Sequence, residues 1–156
     1  MTDMLKVMDR HRDLDLFDIR ETSETSLRLI IAEMGVIEDA PPITSKEEPN
    51  AVLRSLMNSS KLIAVSDSNA HYEVVFDDYI TYSIINESYA NKTEGTYEGR
   101  SVRVYTKSVF LDYISQVTFA TFDYPGEFKH YEFCCCNHII DIASTQPPQI
   151  KILDAR

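Results

Sequence analysis

The sequence predicts an α+β fold in which N-terminal helices are followed by a mostly antiparallel sheet interrupted by one helix. Three observations predict it. Apolar residues fall at helical spacing in the first third of the chain. From Lys61 onward, short runs of β-branched and aromatic residues alternate with turn residues. Between Ser108 and Val117 one amphipathic stripe interrupts those runs.

In chain order, Met4, Leu5, Met8, Leu14, Leu16, Phe17 and Ile19, mixed with charges, predict a helix and a less regular stretch up to about Arg20. Ser23-Glu24-Thr25-Ser26 offers cap residues ahead of Leu27, Ile30, Ile31 and Met34. That i, i+3, i+4, i+7 set predicts a second helix ending at Gly35, although Leu27, Leu29 and Ile31 also alternate as a strand would. After a proline-punctuated connection, Ala51, Val52, Leu53, Leu56 and Met57 predict a short third helix. Strands are expected at Leu62 to Val65, Tyr72 to Phe76 and Tyr79 to Ile85, with Asp77-Asp78 as a turn or bulge between the last two. Asn91 to Gly99 reads as a loop and Ser101 to Tyr105 as a strand. Ser108 then caps a helix carrying Phe110, Tyr113, Ile114 and Val117, which stops before the turn Asp123-Tyr124-Pro125-Gly126. A long extended run from His130 to Ile142 and a final strand at Ile150 to Leu153 complete the sheet.

With 156 residues and 44% hydrophobic content, the chain can close one globular domain, residues 1–156, without staples. Its net charge is -10, spread along its length: residues 1–50 hold 12 acidic and 6 basic side chains. Such a field repels phosphate backbones, so no nucleic acid is expected as partner. It favours a basic protein instead. The N-terminal residues lack an apolar secretory core and no stretch approaches a membrane span, which predicts a cytoplasmic protein with no membrane partner. Three adjacent cysteines make no spaced disulfide framework, so reduced thiols are expected.

Two constellations carry chemistry. In the run His130-Tyr131-Glu132-Phe133-Cys134-Cys135-Cys136-Asn137-His138, strand alternation would put His130, Glu132, Cys134, Cys136 and His138 on one face. Cys134, Cys136 and His138 are the candidate metal ligands, since zinc takes thiolate and imidazole. Two residues at i and i+2 can converge on one ion, while a third needs help from elsewhere. The same thiols could serve as nucleophiles only in an electropositive setting, and their neighbours are apolar or acidic. The competing view makes them small core hydrophobes, with no cofactor expected. The glycines form no phosphate-cradling or dinucleotide loop, and no serine elbow is present.

The second constellation is surface recognition. All nine tyrosines lie between Tyr72 and Tyr131, and tryptophan is absent. Asp77, Asp78, Tyr79, Tyr82 and Glu87 form an acidic, tyrosine-bearing set suited to a basic protein. Regular alternation would turn Tyr79 and Tyr82 to opposite faces.

The phrases Asp77-Asp78-Tyr79-Ile80-Thr81-Tyr82-Ser83-Ile84-Ile85-Asn86-Glu87-Ser88-Tyr89, Ser108-Val109-Phe110-Leu111-Asp112-Tyr113 and Phe128-Lys129-His130-Tyr131-Glu132-Phe133-Cys134-Cys135-Cys136-Asn137-His138-Ile139-Ile140-Asp141 resemble those of small uncharacterised bacterial proteins. The likeness covers the C-terminal half and implies no activity or residue role. By analogy of size and acidity alone, immunity proteins against toxins are a comparable class. The sequence therefore predicts a non-catalytic interaction module, of immunity-inhibitor type, for a basic protein partner. A small metal-dependent or thiol enzyme built on Cys134 to His138 is the alternative, and a homo-oligomer joined through a sheet edge is a third reading.

Overall fold

A computed structural model describes residues 1–37, 62–66, 68–91 and 94–153. The helix expected at Ala51 to Met57 lies outside the described residues. Within them the chain is helix-poor and built on three antiparallel sheets, which overturns the expectation of N-terminal helices followed by one sheet. Helix α1 spans Asp3–Asp9. Strands β1 (Leu14–Ser23) and β2 (Ser26–Glu33) pair with β5 (His71–Asp77) and β11 (Gln149–Leu153) in a four-stranded sheet of order β1-β2-β5-β11. Strands β6 (Tyr79–Asn86), β7 (Gly95–Glu98), β8 (Val102–Ser108), β9 (Lys129–Cys134) and β10 (His138–Ser144) form a five-stranded sheet of order β6-β10-β9-β8-β7. The short β3 (Gly35–Val36) and β4 (Ile63–Ala64) pair separately, and helix α2 spans Val109–Val117. Among the described residues no helix is long and apolar enough to cross a membrane.

The second predicted helix is the central strand β2, and long-range pairing explains why. Leu27, Leu29 and Ile31 meet Phe76, Val74 and Tyr72 across the ladder, so the period-2 set is completed by β5 while the helical set would have found no partner. The supposed cap Ser23-Glu24-Thr25-Ser26 is instead a two-residue hairpin turn, with Ser23 opposite Ser26. The opening segment is split the same way. Helix α1 buries Leu5 and Met8, and the residues beyond it become β1, where Phe17 bulges out of register and is exposed. Gly95–Glu98, expected as loop, is the exposed edge strand β7.

One core lies between the two larger sheets. Leu27, Leu29, Ile31, Tyr72, Val74 and Phe76 from one face meet Val102, Val104, Tyr131, Phe133, Ile140 and Ile142 from the other, and α1 closes an end. Phe76 stands edge-on to both Tyr131 and Phe133, at centroid distances of 5.2 and 6.2 Å. A smaller core lies on the opposite face of the five-stranded sheet, where Ile114 of α2 packs with Ala120 and Ala143 against Phe110, Leu111 and Ile80.

Two backbone irregularities mark the crossing between the sheets. Asp78 adopts φ 55°, a left-handed conformation that aspartate tolerates, and there the chain passes from the four-stranded sheet into the five-stranded one. Two residues on, the ladder steps from Ser144 opposite Tyr79 to Ala143 opposite Thr81, so Ile80 is an extra residue. The bulge puts Tyr79 and Tyr82 on the same side, with rings 5.5 Å apart and both against the main core.

Candidate functional site

The run from His130 to Ile142 is a hairpin and not one strand. Cys135 N donates to the His138 carbonyl at 2.8 Å, leaving Cys136-Asn137 as the tip. The turn fixes the register of β9 against β10: Cys134 faces Ile139, Phe133 faces Ile140 and Glu132 faces Asp141. Since Tyr131, Phe133, Ile140 and Ile142 point into the main core, His130, Glu132, Cys134 and Asp141 share the other face.

On that face a buried polar network forms. His130 is fully buried, stacked on Tyr105 at 4.5 Å and tilted against Phe110 at 4.9 Å. Its Nε2 is 2.8 Å from Asp141 Oδ1 and its Nδ1 is 2.9 Å from Ser108 Oγ. Ser108 is also the N-cap of α2, accepting from Leu111 N at 3.2 Å, so its own hydroxyl proton can go to Nδ1 while Nε2–H donates to Asp141. Glu132 Oε1 accepts from Arg103 Nη1 at 2.6 Å, Tyr105 OH at 3.2 Å and Cys134 Sγ at 3.3 Å. Burial, opposed by Arg103 and reinforced by the Glu132 carboxylate, holds the Tyr105 phenol up at about 12. The order Ser108, His130, Asp141 is that of an acyl-transfer relay. However, Ser108 is only 2% exposed and its oxygen is committed to the helix cap, so it presents no nucleophile to solvent.

The cysteines divide. Cys136 is exposed at the hairpin tip, Cys135 is buried and Cys134 lies between, all three free. Burial, with the adjacent carboxylate of Glu132, pushes the Cys134 thiol up to about 12, and burial pushes Cys135 up as well. Both are protonated at neutral pH, the opposite of an activated nucleophile. Cys134, Cys136 and His138, which a continuous strand would group, are separated by the turn, and His138 Nδ1 is buried without a hydrogen-bond partner. Among the described residues, the group of potential metal ligands that converges is His130, Glu132 and Asp141, with ligand atoms all within 4.8 Å of one another.

The predicted recognition residues scatter. Asp77 accepts from Ser26 Oγ and Gln149 Nε2, both at 3.0 Å, tying two strands of its own sheet. Tyr82 is committed to packing. Glu87, at the far end of β6, lines a cavity of about 660 Å³ with Arg100, Arg103, Glu132 and Cys134. Asp78 and Tyr79 line a cavity of about 380 Å³ with Ile80, Phe119 and Tyr124, and Tyr79 also meets the Tyr82 ring. The Tyr79 hydroxyl donates to Glu21 at 2.8 Å, and burial together with that bond raises it to about 12.

Phe119 and Tyr124 belong to a larger feature. Helix α2 spends Phe110 and Ile114 on the sheet, yet its other side carries Val109, Tyr113 and Val117 at i, i+4, i+8, all exposed. Beyond the helix, Phe119 is 81% and Phe122 75% exposed, and Phe119 stacks on Tyr124 at 5.9 Å. At the other end of the helix, Tyr89, Val109 and Tyr113 line a cavity of about 610 Å³ that Asp141 also reaches. The result is an apolar, aromatic band along α2 and the loop after it.

Comparison with protein-family models, curated proteins and solved structures gives no match. The site is therefore read from geometry. Helical spacing alone hides the band, because it assigns Tyr113 and Val117 to the buried stripe. Two signals in the sequence point to it: α2 has apolar residues on more than one face, and residues 109–128 contain Asp112, Asp123 and Glu127 but neither lysine nor arginine.

Proposed function

We propose that the protein is a non-catalytic interaction module, of immunity-inhibitor type, that engages a basic protein partner through the band on α2 and the loop after it. The observation that carries this reading is the second apolar face of α2, continued by Phe119, Phe122 and Tyr124. An exposed aromatic band of this kind marks a docking surface more often than a free one. Charge complementarity selects the partner: Asp78, Asp112, Asp123 and Glu127 accompany the band and no cation lies in its segment, so a partner with lysines and arginines around an apolar patch fits it. Asp78 and Tyr79 are kept from the predicted set as its rim.

The test uses the immobilised chain to capture proteins, followed by on- and off-rates for each purified candidate. A partner of high isoelectric point is expected, binding more slowly as salt rises. Val117→Lys and Phe119→Ala should abolish capture, whereas Lys151→Ala on β11, an edge strand of the four-stranded sheet, should leave it unchanged. Capture indifferent to both band substitutions, capture only of acidic proteins, or binding of the band to neutral lipid vesicles in place of protein would refute the reading.

A further inference from the structure

We propose that His130, Glu132 and Asp141 bind a divalent transition-metal ion beneath α2. Glu132 and Asp141 stand directly opposite each other on β9 and β10, an arrangement that sets two like charges about 5 Å apart at their Cβ atoms. Both are buried, at 1% and 5% exposure, so their repulsion is poorly screened. Arg103 offsets the charge of Glu132, while Asp141 is paired with His130 Nε2, the place that a metal ion between the carboxylates would take.

His130 supplies the nitrogen ligand. Tyr105 and Phe110 clamp its ring, and Ser108 Oγ engages Nδ1, which leaves Nε2 aimed at Asp141. When an ion takes the Nε2 lone pair, the ring proton sits on Nδ1 and donates to Ser108 Oγ, the outer-shell support that metal-bound imidazoles use. Glu132 is oriented in the same manner by Arg103 and Tyr105. The ligand atoms need to contract from within 4.8 Å to the roughly 3.3 Å spacing of a tetrahedral site, a matter of side-chain rotation. Entry is provided from two sides, because Glu132 borders the cavity of about 660 Å³ and Asp141 the one of about 610 Å³, and either can supply a water as fourth ligand. One nitrogen and two carboxylates suit zinc, manganese or ferrous iron over calcium or copper. Because Ser108 also caps α2, the ion would fasten the helix that carries the band, a consequence separate from whatever that band binds.

Equilibrium dialysis of the intact chain against zinc, together with the visible spectrum of the cobalt-loaded form, tests this. One ion per chain is expected, with affinity reduced at least tenfold in Asp141→Asn and in Glu132→Gln and unchanged in Cys136→Ser. Zinc should raise the thermal midpoint of the unaltered chain and leave that of Asp141→Asn where it was. Circular dichroism identifies which variants remain folded, and either carboxamide variant suffices. Less than stoichiometric zinc, equal affinity in a folded carboxamide variant, or loss of the ion only in Cys136→Ser would overturn the site, the last by placing the metal on the exposed thiol.

Discussion

Asp9 offers the sharpest test of how the chain is held together. From the last turn of α1, its Oδ1 accepts three successive backbone N–H groups, those of Arg100 at 2.7 Å, Ser101 at 2.8 Å and Val102 at 2.9 Å. It thereby fixes the start of β8 to the helix that plugs the end of the core. Removing the carboxylate in Asp9→Ala strands these donors unequally. Arg100 is exposed and water replaces the bond at little cost, while Ser101 and Val102 are buried. Each buried N–H left without a partner costs about 1–2 kcal/mol, so the expected loss is about 2–4 kcal/mol. Asp9→Asn keeps an acceptor in place and should lose about 1 kcal/mol, the charge-assisted part. With no tryptophan in the chain, urea unfolding is followed by circular dichroism and tyrosine fluorescence, comparing midpoints at constant slope. A loss below about 0.5 kcal/mol for Asp9→Ala would refute the reasoning, as would equal losses for the two substitutions.

Thiol reactivity, alkaline stability and one glycine give further checks on the same protein. At pH 8 a disulfide reagent should titrate the exposed Cys136 at once, Cys134 about a thousandfold more slowly for want of thiolate, and Cys135 only on unfolding. Stability should also fall in alkali. Cys134 rises from 9.0 to about 12, and Tyr105 and Tyr131 from 10.0 to about 12, so the folded chain holds these protons more tightly than the unfolded one. Their contribution is complete below about pH 9 and drains away between 9 and 12, which urea midpoints measured from pH 7 to 11 would show as a plateau followed by a decline. Gly99 has φ 99° in the connection from β7 to β8, and an added Cβ would stand 2.0 Å from the Val102 carbonyl oxygen. Gly99→Ala should therefore cost about 2 kcal/mol or more in the same urea assay.

Legible in the sequence is the local chemistry of several elements from Tyr72 onward. Tyr72 to Phe76, Tyr79 to Ile85, the Ser108-capped helix and Ile150 to Leu153 all carry their signal within a few residues, and all form where expected. The N-terminal half misleads because its apolar residues satisfy two periods at once. Leu27, Leu29 and Ile31 fit a strand as well as Leu27, Ile30, Ile31 and Met34 fit a helix, and the choice is made by β5, more than forty residues away. Asp9 carries no signal at all, because its three donors lie about ninety residues along the chain.

The buried network shows where one local error propagates. Reading His130 to Ile142 as a single strand groups Cys134, Cys136 and His138 by parity, whereas recognising Cys136-Asn137 as a two-residue turn changes every pairing. Folding the run at that point brings Asp141 opposite Glu132 and next to His130. The ligand set then changes from two thiols and an imidazole to an imidazole and two carboxylates, and the thiols become a buried Cys135, a protonated Cys134 and an exposed tip. Asn137, a residue suited to tight turns, is the clue within the run. The same fold places Ser108 between His130 and the first turn of α2, so the state of the buried carboxylates and the position of the helix that bears the aromatic band are coupled through a single hydroxyl. Ser108→Ala removes both the cap and the Nδ1 contact. Asp141→Asn, by contrast, alters the carboxylate pair with the cap intact, so a band that loses its partner in the first variant and keeps it in the second is governed by the helix terminus and not by the charge beneath it.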